Sequence, residues 1–587
     1  MRHLLLLILL SASLCLSGQT PQCYQDFEEL TDTKPVNEAL WNNCKNTVNA
    51  SWGSVNNRYS KTNVPDISQP RMKWKGIAWR GERMNAQAVI WTTADCPEVS
   101  LHVTDLVSSG GQHIPASAVK ASFVRYVMTD ELNKDGEGGC GYRPDHTQWD
   151  SSVVADMIDI KQKHDLLGRH TQPVWVSIQV PQDIKPGIYQ GQLQPESPGH
   201  KFPALDIELE VCHRTLPQPK DWAFHLDLWQ HPFAVARYHN LPLWSKEHFE
   251  AMRPVMQLLA DAGQKVITTT LMHAPWGGQT YDKFESMVMR IKRPDGSWSF
   301  DYTVFDNWVE FMMGMGIDRQ INCYTLIPWK LSFQYFDQAS NTLKYLDTQV
   351  GTPEFNDYWK GFLLDFAGHL KTKGWFDITT IAMDERPMKA MQQVIALIHE
   401  ADPGYKVSLA GNYHAELATA LYDYCVDAGQ FFPDSILSQR KAAGQVSTYY
   451  TCCSSPYPNT FTFSPTAEST WLAWYAAAKG FDGYLRWAYN SWTADPLPDT
   501  RFDTWAAGDC YLVYPCGRSS IRFERLVEGI QDFEKIRILR EEFTRKGEKA
   551  KLKALDHMLK PFNIPDLPQH PAAPTLDKAK AELIRLY

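Results

Sequence analysis

The chain has 587 residues, of which 44% are hydrophobic and 21% are charged. That balance is typical of a packed globular protein and excludes a largely disordered one. The formal net charge of -9 and the isoelectric point near 6.1 argue against a nucleic-acid partner, which would need a basic face. We also expect no integral membrane segment, because no stretch beyond the N-terminus is apolar enough to span a bilayer.

The N-terminus has the pattern of a secretory signal peptide. A charged tripeptide precedes an apolar run at residues 4–10, and mostly small residues follow as far as Gly18. We therefore predict that residues 1–18 are removed and that the protein is secreted, periplasmic or held at the cell surface. A lipid anchor at Cys15 is an alternative, although Leu14 occupies a position where lipoprotein sites usually carry a small residue.

The cysteines give little guidance. Twelve are present, their spacing is scattered, and none form a CxxC pair, so neither a zinc knuckle nor a dense disulfide framework is indicated. The adjacent pair Cys452 and Cys453 is interpreted as two small buried thiols at a strand end.

The first part of the mature chain has the period of β-strands. Apolar residues alternate with acids in one segment, which is typical of a half-buried strand: Leu205, Ile207, Leu209 and Val211. Two further strands are predicted around a turn at Lys185–Gly187. Several short strands separated by turn residues predict an N-terminal β-sandwich over residues 19–216, one loop of which could reach over the next domain.

After a proline-rich linker at residues 216–219, strands alternate with helices. The predicted strands are Phe224–Trp229, Val266–Met272, Ile321–Ile327, Ile378–Asp384, Lys406–Gly411, Tyr424–Ala428, Val446–Thr451 and Tyr484–Tyr489. Eight strands in one unbroken alternation favour an α/β fold with a (β/α)₈ TIM barrel at residues 217–545, followed by a helical tail at 546–587. A doubly wound open sheet is the alternative, but no Gly-rich phosphate loop supports it.

In such barrels the chemistry lies at the C-terminal ends of the strands. The residues at these ends are Asp227, Trp229, His273, Trp276, Trp329, Asp384, Glu385, Asn412, His414, Gln430, Tyr450, Trp487, Tyr489 and Trp492. Carboxylates, amides and flat aromatic rings are what a sugar pocket needs. From this set we predict substrate contacts by Asn412, His414, Tyr450, His273 and Trp492, although both histidines could equally cap loops. No metal-ligand spacing occurs, so no metal and no cofactor is expected.

Asp384 and Glu385 are consecutive acids at the end of a predicted strand. A conventional retaining pair flanks the scissile bond from opposite sides, whereas adjacent acids fit substrate-assisted hydrolysis, in which the 2-acetamido oxygen of the sugar is the nucleophile. Glu385 suits the general acid/base, because an ionised neighbour would raise its pKa. The structural alternative is a helix N-terminus decorated with acids, with Arg386 paired to one of them.

Beyond the acid pair, several motifs resemble glycoside hydrolase family 123, the retaining β-N-acetylgalactosaminidases. The matching segments are Trp79–Arg83 with Gln87, Phe123–Tyr126, Leu485–Trp492, Asp495-Pro496, Gly508-Asp509, Tyr514-Pro515, Ser520–Arg525 and Glu528–Asp532. The resemblance implies that Asp384 polarises the acetamido group and that Glu385 is the general acid/base. It also implies an aromatic acetamido pocket, which we assign to Trp487 and Tyr489, and a glycan partner with terminal β-linked N-acetylgalactosamine.

Two other functions remain open at the level of sequence. One is the same mechanism acting on β-N-acetylglucosaminides, since the sequence does not show which residue contacts the C4 hydroxyl of the sugar. The other is a glycan-binding protein without catalysis, which the acid pair disfavours because a pure binder does not need it.

Overall fold

The structure, a computed structural model, describes four stretches of the chain: residues 22–130, 140–141, 143 and 145–587. The predicted signal peptide, with Cys15, lies outside the described residues. Within the described part of the chain, no helix is both long and apolar enough to cross a membrane.

The N-terminal part is a β-sandwich, as predicted. One sheet has the strand order β1 (Val48–Trp52), β3 (Arg83–Thr92), β10 (His170–Gln179), β7 (Val119–Thr129), β8 (Ser152–Ile158) and β26 (Ser519–Ser520). The other contains β2 (Lys73–Arg80), β13 (Leu205–Thr215), β11 (Gly187–Ser197), β4 (Cys96–Val103) and β9 (Lys163–Leu166), with short strands β5 (Leu106–Ser108), β6 (His113–Ile114) and β12 (His200–Lys201). The alternating residues of β13 point into one shared core, which confirms the period-two interpretation.

The second part is a closed barrel of eight parallel strands. In barrel order these are β14 (His225–Leu228), β15 (Val266–Thr270), β18 (Gln320–Tyr324), β21 (Thr379–Asp384), β22 (Lys406–Gly411), β23 (Asp423–Asp427), β24 (Val446–Tyr450) and β25 (Gly483–Arg486). A parallel bridge between Leu226 and Gln264 joins the first strand to the second and closes the ring. The closure confirms the barrel and excludes the open sheet, and all eight predicted strands are present.

Helices surround the barrel and continue beyond it. They are α2 (Pro232–His239), α3 (Lys246–Ala260), α4 (Thr303–Gly314), α5 (Pro353–Lys373), α6 (Met388–Ala401), α7 (Asp434–Ala442), α8 (Thr466–Lys479), α9 (Ile521–Lys546), α10 (Lys549–Leu559) and α11 (Ala572–Ile584), whereas the short helix α1 (Glu38–Asn42) packs on the sandwich. The Ser245 side chain caps α3 by accepting a hydrogen bond from the backbone N–H of His248. Helix α5 buries the stripe that includes Phe355, Trp359 and Phe362, and the rings of Phe355 and Trp359 contact that of Phe333.

A four-stranded sheet is inserted at the C-terminal side of the barrel. Its order is β17 (Trp298–Asp301), β16 (Met289–Lys292), β19 (Ser332–Asp337) and β20 (Thr342–Asp347). Strands β16 and β17 follow barrel strand β15, and β19 and β20 follow β18, so two neighbouring loops build this sheet together. The sequence pattern does not predict this sheet.

Sandwich and barrel are joined through buried charges. Arg522, at the start of α9, contacts Asp156 of β8 at 2.9 Å, and both side chains are almost fully buried. Strand β26, just before α9, adds to the sandwich sheet. The predicted boundaries at 216 and 545 stay predictions, but α9 ends at Lys546, beside the second of them.

Candidate active site

The acid pair lies at the C-terminal end of barrel strand β21. Asp384 is the last residue of the strand, and both Asp384 and Glu385 line a cavity of about 310 Å³ at the barrel mouth. The side chain of Asp384 is 17% exposed and that of Glu385 is 32% exposed, so Asp384 lies deeper. Helix α6 begins only at Met388, and no side chain caps it. The pair is therefore not a helix cap, although Arg386 does lie beside Asp384.

Both carboxylate oxygens of Glu385 are held by the segment that follows β22. The backbone N–H of Asn412 donates to Oε2 at 2.5 Å, and Nε2 of His414 lies 3.3 Å from Oε1. Gly411 makes this approach possible, because a Cβ at that position would lie 2.7 Å from the Cβ of Glu385. Asn412 and His414, predicted as sugar contacts, thus hold the carboxylate of Glu385 in this structure.

These contacts set the electrostatics of Glu385. Burial alone raises the pKa of Glu385, but the hydrogen bonds from Asn412 and His414 favour the carboxylate and bring the net shift below the ordinary value. The prediction that Asp384 would raise the pKa of Glu385 is therefore wrong.

Asp384 has the opposite environment. Burial raises its pKa, while the Arg386 guanidinium, 3.6 Å from Oδ2, and the indole N–H groups of Trp276 and Trp329 favour the ionised form. Arg386 is itself anchored, since its Nε donates to the carbonyl oxygen of Ile327 at 3.1 Å. Asp384 is thus a deep carboxylate with a fixed cation beside it.

The walls of the cavity are largely aromatic. The indoles that line it are Trp229, Trp276, Trp329, Trp487 and Trp505. Trp229 and Trp276 stack with ring centroids 4.9 Å apart, and Trp487 meets Trp505 edge-on at 6.0 Å. Nε1 of Trp487 donates to Oδ2 of Asp509 at 3.2 Å, which fixes the plane of this ring. Flat rings around two carboxylates form a site suited to a sugar, which presents apolar ring faces and hydroxyl groups.

Two of the predicted binding residues, Trp487 and Tyr450, line the cavity. Three others lie outside the cavity lining, so the prediction is wrong for them. Tyr489 is fully buried and donates its hydroxyl to the carbonyl oxygen of Val255, and Trp492 is fully buried with its Nε1 bonded to the carbonyl oxygen of Val513. His273 is not among the residues that line the cavity, and its Nδ1 contacts Oε2 of Glu285 at 2.6 Å.

The reason for the error is local. Strand β25 ends at Arg486, and the chain turns back after Trp487. The returning segment is hydrogen-bonded on both sides. The backbone N–H of Tyr489 donates to the carbonyl oxygen of Trp229, and the carbonyl oxygen of Tyr489 accepts from the backbone N–H of Leu512. Side chains of this returning segment face the helix layer. Trp229, Trp276 and Trp329, which stand at strand ends in the sequence, should have been assigned to the pocket instead; Trp505 and Asp509 come from a long loop that no strand-end signal identifies.

A disulfide brings the sandwich to the edge of the cavity. Cys140 is bonded to Cys453, which follows β24 and lines the cavity beside the free thiol of Cys452. The interpretation of two buried thiols is therefore wrong for Cys453. A second disulfide joins Cys23 and Cys516.

The described residues contain one group with metal-ligand geometry: Cys23, His239 and Cys516. Both of its cysteines form that second disulfide, so they are not free to bind an ion.

Comparison with known proteins agrees with this geometry. A family model described as the catalytic domain of glycoside hydrolase 123 matches residues 229–539, and one described as the N-terminal domain matches residues 52–196. A search of curated protein sequences gave no match.

Among solved structures, a family 123 glycoside hydrolase from Clostridium perfringens, reported for the details of glycolipid glycan hydrolysis, is 26% identical over 87% of this chain and 91% of that chain, with a TM-score of 0.79. A family 39 glycoside hydrolase from Bacteroides cellulosilyticus WH2 is 9% identical over 64% of this chain and 76% of that chain, with a TM-score of 0.32. A GH5 xyloglucanase from Bacteroides ovatus is 8% identical over 78% and 98%, with a TM-score of 0.30. The last two scores are too low to carry an argument. Because the catalytic-domain model matches more than half of the chain, this protein belongs to glycoside hydrolase family 123.

Proposed function

We propose that the protein is a secreted, retaining exo-β-N-acetylgalactosaminidase that works by substrate-assisted catalysis. The observation that carries the proposal is that two consecutive acids, Asp384 and Glu385, both line one aromatic cavity at the barrel mouth. Two adjacent carboxylates reach neighbouring atoms of one sugar. Consecutive acids fit this arrangement better than that of a conventional retaining enzyme, whose acid and nucleophile flank the scissile bond from opposite sides.

The cavity has a third carboxylate, and its contacts argue against a role as protein nucleophile. Asp509 is fully buried, its Oδ1 lies 2.6 Å from Nη2 of Arg486, and its Oδ2 accepts a hydrogen bond from Trp487. Both oxygens are committed to structural partners. This supports a mechanism in which the substrate supplies the nucleophile.

The proposed reaction has two steps. Asp384 accepts a hydrogen bond from the acetamido N–H, the acetamido oxygen attacks C1, and Glu385 gives its proton to the departing glycosidic oxygen. The oxazolinium that forms is stabilised by the Asp384 carboxylate. In the second step Glu385 takes a proton from water, which opens the oxazolinium at C1 and releases the sugar with retained configuration.

The choice of N-acetylgalactosamine rests on family resemblance rather than on a residue that reads the C4 hydroxyl. We expect a panel of chromogenic β-glycosides to show release from the N-acetylgalactosaminide and weaker or no release from the N-acetylglucosaminide. A β-galactoside should not react, because without the 2-acetamido group no nucleophile remains. Efficient cleavage of that β-galactoside would exclude the mechanism. Binding of N-acetylhexosamines without any hydrolysis would favour the binding-protein alternative.

We also propose export from the cytoplasm. The signal-peptide pattern at residues 1–18 and the two disulfides both fit an oxidising compartment. Cell fractionation should find a shortened chain outside the cytoplasm. A full-length precursor that accumulates in the cytoplasm would contradict this location.

A further inference from the structure

The segment at residues 411–414, which we call the cradle loop, holds both oxygens of Glu385. Its own position is set by two side chains, Tyr424 and Gln430, neither of which is among the residues that line the cavity. Tyr424 belongs to strand β23, and Gln430 follows the end of that strand. Both therefore act from the barrel strand next to the one that carries the cradle loop.

The hydroxyl of Tyr424 connects the two residues that contact Glu385. It accepts a hydrogen bond from the backbone N–H of His414 at 2.7 Å and donates to the carbonyl oxygen of Asn412 at 2.5 Å. The ring is fully buried and packs edge-on against Phe432 at 5.3 Å, with the Arg440 guanidinium 5.7 Å from its centroid. Because this packing holds the ring of Tyr424 in place, its hydroxyl also keeps one position.

Gln430 binds the same loop from its other side. Its Nε2 donates to Oδ1 of Asn412, and its Oε1 accepts a hydrogen bond from the backbone N–H of Tyr413 at 2.5 Å. Together the two side chains contact three consecutive residues of the cradle loop. Hydrogen bonds from supporting side chains are how a protein holds a catalytic group to a fraction of an ångström.

We infer that Tyr424 and Gln430 are positioning residues for the general acid, acting on Glu385 through the cradle loop. The inference rests on the proposed function, since it assigns them to the acid that this function requires. Because neither lines the cavity, we expect their loss to slow the chemical step and to leave ground-state binding intact. This separates them from Asn412 and His414, which touch the acid directly.

The same contacts govern the ionisation of Glu385. The charged and titratable groups near Glu385 are Asp384, Arg386, His414, Tyr424 and Tyr450, of which Arg386 contacts its backbone carbonyl oxygen. The pKa of Glu385 is low because the cradle loop donates to its charged form. If the loop moves away, that pKa rises toward its ordinary value. Glu385 must be protonated to act as an acid, so kcat/KM should then persist to higher pH.

The test is Tyr424→Phe, which removes only the hydroxyl. For a substrate with a poor leaving group we expect kcat to fall about 10-fold, which is within the cost of misplacing a catalytic group by less than 1 Å. KM and the affinity for a thiazoline mimic of the intermediate should stay unchanged, and the alkaline limb of kcat/KM should move to higher pH. The matched control is Tyr449→Phe on strand β24, which removes another buried hydroxyl, bonded to the carbonyl oxygen of Leu472 at 2.6 Å. It should leave the pH profile in place.

A double-mutant cycle makes the assignment specific. In the background of Glu385→Gln, the change Tyr424→Phe should cost little more, because the group it positions has already lost its proton. Gln430→Leu should have the same effects as Tyr424→Phe, and it replaces Tyr424→Phe in the test if the tyrosine variant does not fold. Equal losses with and without Glu385, or a pH profile unchanged from wild type, would overturn the inference.

A crystal structure of Tyr424→Phe gives an answer that does not depend on activity. Unchanged contacts from Asn412 and His414 to Glu385 would also overturn the inference, whereas a displaced cradle loop would support it. Failure of the proposed function would look different, since wild type itself would then not cleave any N-acetylhexosaminide.

Discussion

Replacing Glu385 by Gln should lower turnover of a β-N-acetylgalactosaminide with a poor leaving group by about 10²–10⁴-fold, the range that general acid catalysis contributes. The amide keeps the size of the side chain and can still accept the hydrogen bond from Asn412, so binding should be largely intact. A substrate whose leaving group is an acidic phenol should lose less, because its departure needs little protonation. Steady-state kinetics on both substrates measure the difference.

The control for this variant is Glu416→Gln, which removes the same charge from an exposed side chain a few residues beyond the cradle loop. It should not change the rate on either substrate. A folded Glu385→Gln protein with wild-type rates on both substrates would show that Glu385 is not the general acid/base.

Local sequence pattern predicted the architecture well, because burial repeats with the period of each element. The alternation from Leu205 to Val211 follows directly from one face of β13 packing into the sandwich core. The barrel strands are short and almost wholly buried because both of their faces are covered. The predicted runs Ile378–Asp384 and Lys406–Gly411 agree with β21 and β22 within one residue. The acid pair could be predicted for the same reason, since the end of a barrel strand opens into the mouth.

The rest of the site depends on contacts between distant residues, which periodicity does not contain. Nothing near Cys453 in the sequence indicates its partner, since Cys140 lies 313 residues away. The pKa of Glu385 was predicted from its neighbour Asp384, whereas the groups that lower this pKa are Asn412 and His414, in the segment that follows the next barrel strand. Sequence adjacency was a poor guide to electrostatic environment there.

Aromatic residues show the same limit. Trp487 and Tyr489 are two positions apart, yet one lines the cavity and the other is bonded to Val255 in the helix layer. The direction of each ring is decided by where the chain turns after β25 and by which backbone groups it then bonds. Both residues are large, apolar and near a strand end, so no property of the residue types distinguishes them.

Replacing Asp384 by Asn should lower the rate of hydrolysis of both kinds of substrate by about 10²–10³-fold. This is the loss that follows when one preorganised group that stabilises a transition state is removed. The reason is that the oxazolinium forms whichever group leaves. The substitution removes the negative charge that faces it and leaves Arg386, 3.6 Å away, without its partner. The loss should therefore not depend on the acidity of the leaving group, in contrast with Glu385→Gln.

Inhibitor binding gives a second, independent measurement on the same variant. A stable thiazoline mimic of the intermediate should bind wild type tightly, as transition-state-like ligands do, and should bind Asp384→Asn more weakly. Asp357→Asn, which neutralises an exposed acid on α5, is the control and should match wild type in rate and affinity. If Asp384→Asn kept its affinity for the thiazoline and its rate on both substrates, Asp384 would have no role at the acetamido group. The deep carboxylate beside Arg386 would then be a structural ion pair at the barrel mouth, and the substrate-assisted mechanism would lose the residue on which its first step depends.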